Sequence, residues 1–168
     1  MDRMLKWLEL PINALLWLGL VAGFLMMAHV SIDVTGRTVF NHPFAGTTEV
    51  VSAYYMVAAA FLPWAWIARN SSHIQVELFA RLLPAGLRAA LGPLVDTLTI
   101  VYVSLFTWET FIRAVQQTSA NEMWQAGSGY VAIWPSRWML PIAGGLMVLY
   151  MVLRMARDFT RRSGGPAS

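Results

Sequence analysis

The chain has 168 residues, 57% of them hydrophobic and only 12% charged, with a mean hydropathy of +0.53, a net charge of +3 and no cysteine. A soluble domain carries about a quarter of its residues as charges to cover its surface, so much of this surface never meets water. The missing cysteine excludes a disulfide framework, a thiolate zinc site and a cysteine nucleophile. The basic residues gather at the ends of apolar runs, which is membrane topology and not a nucleic-acid footprint.

Four apolar stretches approach the ~20 residues a helix needs to cross a bilayer, and the spans are expected at about 11–35, 48–68, 89–113 and 135–156. Between Glu9 and Asp33 there is no acid, Lys or Arg. Arg3 and Lys6 precede this run as a signal peptide's basic region would. The run is longer than the ~7–15 residues of a signal core and no clear small-x-small cleavage site follows, so it reads as a retained helix. Gly19-x-x-x-Gly23 on this helix lets another helix approach closely. Asp33 and Arg37 stand at i, i+4 with the acid first, the favourable order for a helix pair.

The second stretch, between Glu49 and Arg69, carries a small-residue surface at Ala58 to Ala60, and Pro63 is expected to kink it. Residues 72–83 then follow a helical pattern too short to span. Ile74, Leu78 and Leu82 share an apolar face with Phe79 and Leu83, and His73, Glu77 and Arg81 form a polar stripe. Ser72 with Gln75 fits a capping box, and Pro84 stops the helix. Such a helix lies flat in the membrane interface or against a partner.

The third stretch carries Asp96 and Glu109, the latter spaced i, i+4 from Arg113. Asp96 has no basic residue at i±3 or i±4. An intramembrane carboxylate is a functional candidate by default; it pairs with an arginine elsewhere or handles a proton or ion. Gln116 to Pro135 reads as a polar outer loop with glycines at 127 and 129. The fourth stretch, Trp138 to Leu153, is the shortest, and Arg137 and Arg154 lengthen it by snorkelling. Pro141 is expected to kink it, and Gly144-Gly145 offers another flat surface. Residues 163–168 read as a disordered tail, which leaves 1–162 as one membrane domain.

Placing the N-terminus inside puts Arg3, Lys6, Arg69, Arg81, Arg88, Arg154, Arg157, Arg161 and Arg162 inside and only Arg37, Arg113 and Arg137 outside. That bias fixes both termini on the cytoplasmic side. Trp7, Trp64 and Trp66 then fall near the inner interface and Trp134 and Trp138 near the outer one.

Catalytic signals are lacking. A bis-histidine haem needs two ligands facing each other within the spans. Of His29, His42 and His73 only His29 lies in a span, and the other two fall in opposite loops. No phosphate loop, nucleophile triad or metal spacing is present, so no catalytic residue, cofactor or metal is expected. Two rivals are a haem or quinone anchor of an oxidoreductase and a homo-oligomeric small channel with Asp96, Thr97, Thr99 and Ser104 around its pore.

One resemblance runs through nearly the whole chain. Arg37-Thr-Val-Phe40-Asn-His-Pro43 is followed by Gly46-Thr-Thr-Glu49, Arg69, His73-Ile-Gln-Val-Glu77-Leu, Leu83-Pro84 and Arg88. Ile133-Trp134-Pro135 and Leu140-Pro141-Ile142-Ala143-Gly144 come later. In this order the motifs resemble the small (Q-type) membrane subunit of tripartite ATP-independent periplasmic (TRAP) transporters. Gly46 replaces an aromatic residue and Val50 an acid found in some members, and Glu77 stands where Asp is common. The resemblance implies a bacterial inner-membrane protein that joins a large transport subunit of about a dozen helices. It also implies a periplasmic substrate-binding protein, sodium coupling and an organic-acid substrate. The small subunit would scaffold the large one and help dock the binding protein. In that setting Arg37 and Glu49 pair at the first outer turn or meet the binding protein. Arg69 is carried over with the motif, and His73, Glu77 and Arg81 fix the interfacial helix. Gly19, Gly23 and the Ala58 to Ala60 surface are candidates for contact with the large subunit.

Overall fold

A computed structural model of the chain describes residues 2–42, 44–70, 85–126 and 129–163. Four helical segments in it are long and apolar enough to cross a membrane: Leu5–Val39, Thr47–Asn70, Gly92–Ser119 and Trp134–Thr160. All-α membrane architecture with four spans is therefore observed. The interfacial helix expected at 72–83 and the tail after 163 lie outside the described residues.

The first helix, α1, runs Asp2–Val39, 38 residues. At ~1.5 Å per residue it is roughly 55 Å long, against a hydrocarbon core of ~30 Å. It therefore tilts or projects well beyond the core. Pro11 sits inside it.

The second span is broken into short pieces. It starts as α2 (Thr47–Val50), passes through a π-helical turn at Val51–Tyr55, continues as α3 (Met56–Phe61), and resumes after Leu62 and Pro63 as α4 (Trp64–Asn70). Pro63 has no N–H to donate and its ring crowds the carbonyl four residues back, so the break falls where the sequence places it. The π turn has no comparable signature in the sequence.

The third helix, α5, runs Ala85–Ser119 and keeps Pro93 inside. After it comes an element the sequence reading took for loop. Met123–Ala126 (β1) and Gly129–Ala132 (β2) pair antiparallel, with Met123 opposite Ala132 and Trp124 opposite Val131. A 3-10 turn at Trp134–Trp138 leads into α6, Met139–Ser163. Pro141 lies in the first turn of α6 and the helix runs on unbroken. The expected kink is absent because a proline in a first helical turn forfeits no intrahelical bond.

The fourth span is the centre of the bundle, packing on the third and second spans and on α1. Small residues set these approaches. A Cβ on Gly19 would stand 3.1 Å from the ring of Pro63 and 3.3 Å from the Ala58 carbonyl oxygen, and one on Gly23 would meet Ala59 at 3.8 Å. Gly19 and Gly23 thus serve the internal contact between the first two spans. Ala58, Leu62 and Ala143 form the buried cluster, with Leu15, Ala22 and Met139 packed on it. The outward faces stay apolar. Trp17, Phe24, Leu105 and Trp108 are all about two-thirds exposed, an arrangement stable only in lipid or against another protein.

Candidate functional site

The end of the bundle remote from the chain termini is closed by a cap. Its foundation is Asp33, 5% exposed near the top of α1. One carboxylate oxygen accepts the Phe44 backbone N–H at 2.9 Å, and the other accepts from Arg37 Nη2 at 3.0 Å. A carboxylate with two such donors is well satisfied despite burial. The sequence reading identified the Asp33–Arg37 spacing but not the chain reversal that the carboxylate secures.

Around Asp33 the turn between the first two spans is closed by backbone. The Gly36 carbonyl accepts the N–H groups of Phe40 and His42, at 3.1 and 3.2 Å. Asn41 takes φ 52°, a left-handed conformation asparagine tolerates. Gly46 takes φ 89°, and a Cβ there would also come within 3.3 Å of Ala126. Only glycine satisfies both constraints, and the hairpin seats on the turn at this point. Thr47 Oγ1 donates to the Phe44 carbonyl at 3.3 Å.

Three ties hold the hairpin. Tyr54 Oη, on the π turn, donates to the Ala132 carbonyl at 2.6 Å. Arg137 grips Glu122 through two nitrogens, Nε at 3.0 Å and Nη2 at 2.8 Å, the fork geometry that only arginine provides. The Ile133 N–H bonds to the Glu122 carbonyl at 3.0 Å. Next to them Trp138 Nε1 donates to Thr118 Oγ1 at 3.0 Å, and its ring meets Phe111 edge-on. Glu122 and Tyr54 were not singled out from sequence. Fifteen residues separate Glu122 from Arg137 and seventy-eight separate Tyr54 from Ala132, separations that no local pattern encodes.

The cap presents a mixed surface. Phe40, Phe44, Trp124 and Tyr130 are exposed, beside the exposed Arg37 and the Glu109–Arg113 pair at 3.1 Å. Glu49 lies in the first turn of α2, and no ion pair joins it to Arg37 among the described residues. Arg37 takes Asp33 as its partner, which corrects the alternative in which it pairs with Glu49.

The other sequence candidates are dispersed. Arg69 closes α4 with Asn70 Oδ1 at 3.4 Å from its Nε. Asp96 faces the fourth span at the end of the bundle carrying the termini, where it lines a wedge with Arg154 and Asp158. His73, Glu77 and Arg81 lie outside the described residues. His29 meets the ring of Tyr55 edge-on at 5.9 Å, and His42 is exposed. Thr97 and Thr99 return their hydroxyls to the carbonyls of Pro93 and Val95 on their own helix. Among the described residues no group of acids and histidines could hold a metal ion.

Four apolar spans, lipid-ready outer faces and a hydrogen-bonded cap define a multi-pass helical membrane protein. Residues 26–161 match the family described as tripartite ATP-independent periplasmic transporters, DctQ component. The chain belongs to that family and is the small permease subunit of a TRAP transporter, a transport component and not a member of an enzyme family. A comparison with curated proteins gave no match.

Proposed function

We propose that this small subunit sits in a bacterial inner membrane with both termini in the cytoplasm. There it scaffolds a large transport subunit that moves an organic acid with sodium, and its outer cap helps dock the periplasmic binding protein. The observation that carries this reading is the family match over residues 26–161. The cap supports the docking role. It is tied to all four spans, its aromatic and charged groups are exposed, and a rigid support for such groups lowers the entropy lost on binding. The nine-to-three distribution of basic residues supports the orientation. The exposed apolar faces of the spans support a further membrane partner. In this reading residues 1–162 act as one membrane unit. Arg37 and Glu49 belong to the outer docking region. Arg69, His73, Glu77 and Arg81 belong to the cytoplasmic interface. Gly19 and Gly23 act on the partner indirectly, through the packing of the first two spans.

Partnership is tested by mild-detergent pull-down of the tagged chain from its host, with intact-mass analysis. A large membrane subunit in equal amount is expected, and a homo-oligomer alone would defeat the reading. Arg37→Glu tests docking: uptake should fall while assembly with the large subunit persists, and unchanged uptake removes Arg37 from the docking surface. Orientation is open to cysteine labelling without background, because the chain has no cysteine. Tyr130→Cys should react with an impermeant reagent from outside, and Phe159→Cys only after the membrane is opened.

A further inference from the structure

A groove of about 500 Å³ runs between the third and fourth spans. Ser104, Trp108 and Phe111 line it from the third helix, and Gly145 and Leu149 from the fourth. We propose that this groove receives a transmembrane helix of another subunit, one that carries a serine, threonine, asparagine or glutamine side chain level with Ser104 and Trp108 and bonds to them. The proposal rests on the partnership with a large transport subunit set out above, and it assigns that partner its place of contact.

Unmet hydrogen bonds are the first reason. Other hydroxyls of the third helix are satisfied locally: Thr97, Thr99, Thr110, Thr118 and Ser119 each bond to a backbone carbonyl three or four residues back. Ser104 Oγ and Trp108 Nε1 make no hydrogen bond among the described residues. Thr107 Oγ1 is also without a partner, but it is sealed against Gly144 and out of a guest's reach.

Depth decides what can answer them. Ser104 and Trp108 sit near the middle of the third span, Gly92–Ser119, roughly 16 Å or more along the helix from either end. A tryptophan serves the membrane interface by keeping its N–H wet, and this one lies too deep for that. Headgroups are distant there, and an acyl chain offers neither donor nor acceptor. A neighbouring helix with a polar side chain offers both, and such bonds link helices within the bilayer.

Shape is the third reason. A Cβ added at Gly145 would have nothing within 4 Å, and every residue lining the groove is described, so its floor is open to an incoming side chain. Beside it Leu98, Val101, Leu105 and Trp108 alternate at three- and four-residue intervals, each more than half exposed. That spacing is the seam along which a second helix packs at a shallow crossing angle.

The test places the photocrosslinker p-benzoylphenylalanine at Leu149, or at Phe24 on the first span as a control, in the tagged chain expressed in its host membrane. Leu149 should crosslink to a transmembrane segment of the large subunit that carries a polar side chain. Ser104→Ala and Trp108→Phe should each weaken recovery of the large subunit roughly three- to tenfold, the range for one interhelical hydrogen bond, with the unfolding temperature of the isolated chain unchanged. Gly145→Leu fills the groove and should abolish recovery in a chain of unchanged helical content. If that variant does not fold, Ser104→Ala and Trp108→Phe decide. Recovery of the large subunit with no crosslink from Leu149, or with full recovery by these variants, overturns the groove and leaves the partnership standing. Crosslinks from Leu149 to lipid alone or to a second copy of this chain overturn it as well. Failure to recover any large subunit defeats the partnership itself, and the groove with it.

Discussion

Thr107 Oγ1 lies directly against the backbone of Gly144, so that any Cβ at residue 144 would collide with it. The hydroxyl is buried and makes no hydrogen bond. Other threonines of the third helix, such as Thr110 and Thr118, bond back to their own helix, whereas Thr107 turns its oxygen toward the fourth. Gly144→Ala should therefore force the two spans apart and cost about 1–3 kcal/mol, read as a lower unfolding temperature in detergent. Thr107→Ala removes an unsatisfied hydroxyl and should be neutral or stabilising. The double variant should recover part of the loss, and strictly additive effects would show that the two residues are not in contact.

Asp33 and Arg37 form one ion pair but should not have equal effects. Asp33 is buried and also secures the Phe44 N–H, while the Arg37 side chain is 61% exposed. Asp33→Ala strands a backbone donor as well as a cation, and should lower the unfolding temperature well beyond Arg37→Ala. Asp33→Asn keeps an acceptor for Phe44 and should fall between them. Equal effects of Asp33→Ala and Arg37→Ala would mean that the Phe44 bond contributes nothing.

Tyr54→Phe removes only the hydroxyl that reaches Ala132. The expected cost is about 1 kcal/mol. Its location matters more than its size: amide exchange should rise across Met123–Ala126 and Gly129–Ala132, with the transmembrane helices unaffected. Exchange spread evenly over the protein would show that the bond is not specific to the hairpin.

Arg137→Lys keeps the charge and loses the two-pronged grip on Glu122. Because the Arg137 side chain is 44% exposed, the loss should stay below ~1 kcal/mol. It should shrink further in high salt, which screens exposed pairs. A loss independent of salt would point to packing of the side-chain stem.

Much of this architecture could be read along the chain. Long apolar runs have no alternative in a bilayer but helix, so the four spans are legible from composition alone. Pro63 marks its own break, and Gly19 and Gly23 announce a close approach. Pro141 misleads because its effect depends on where the helix begins, which the 3-10 turn before it decides. The hairpin was only faintly marked. Tyr130 and Val131 favour strand and glycines flank them, but the segment is short, and what fixes it is distant: Gly46, Tyr54 and Arg137. Asp96 was recognisable as an unusual acid, yet its neighbours Arg154 and Asp158 come from another helix, and the crossing of two helices is not written in either one.

The bond from Tyr54 to Ala132 also orders events during biogenesis. The chain leaves the ribosome from its N-terminus, so the second span enters the bilayer long before residue 132 has been made. Until then the phenol must find water or lipid headgroups, and the Glu122–Arg137 clasp cannot close before the start of the last span has emerged. The hairpin side of the cap thus sets later than the Asp33 turn, and only once the start of the last span is available. A chain stalled after the third span would display an open turn at Gly46, an uncapped state that a quality-control protease outside the membrane could distinguish from the finished subunit.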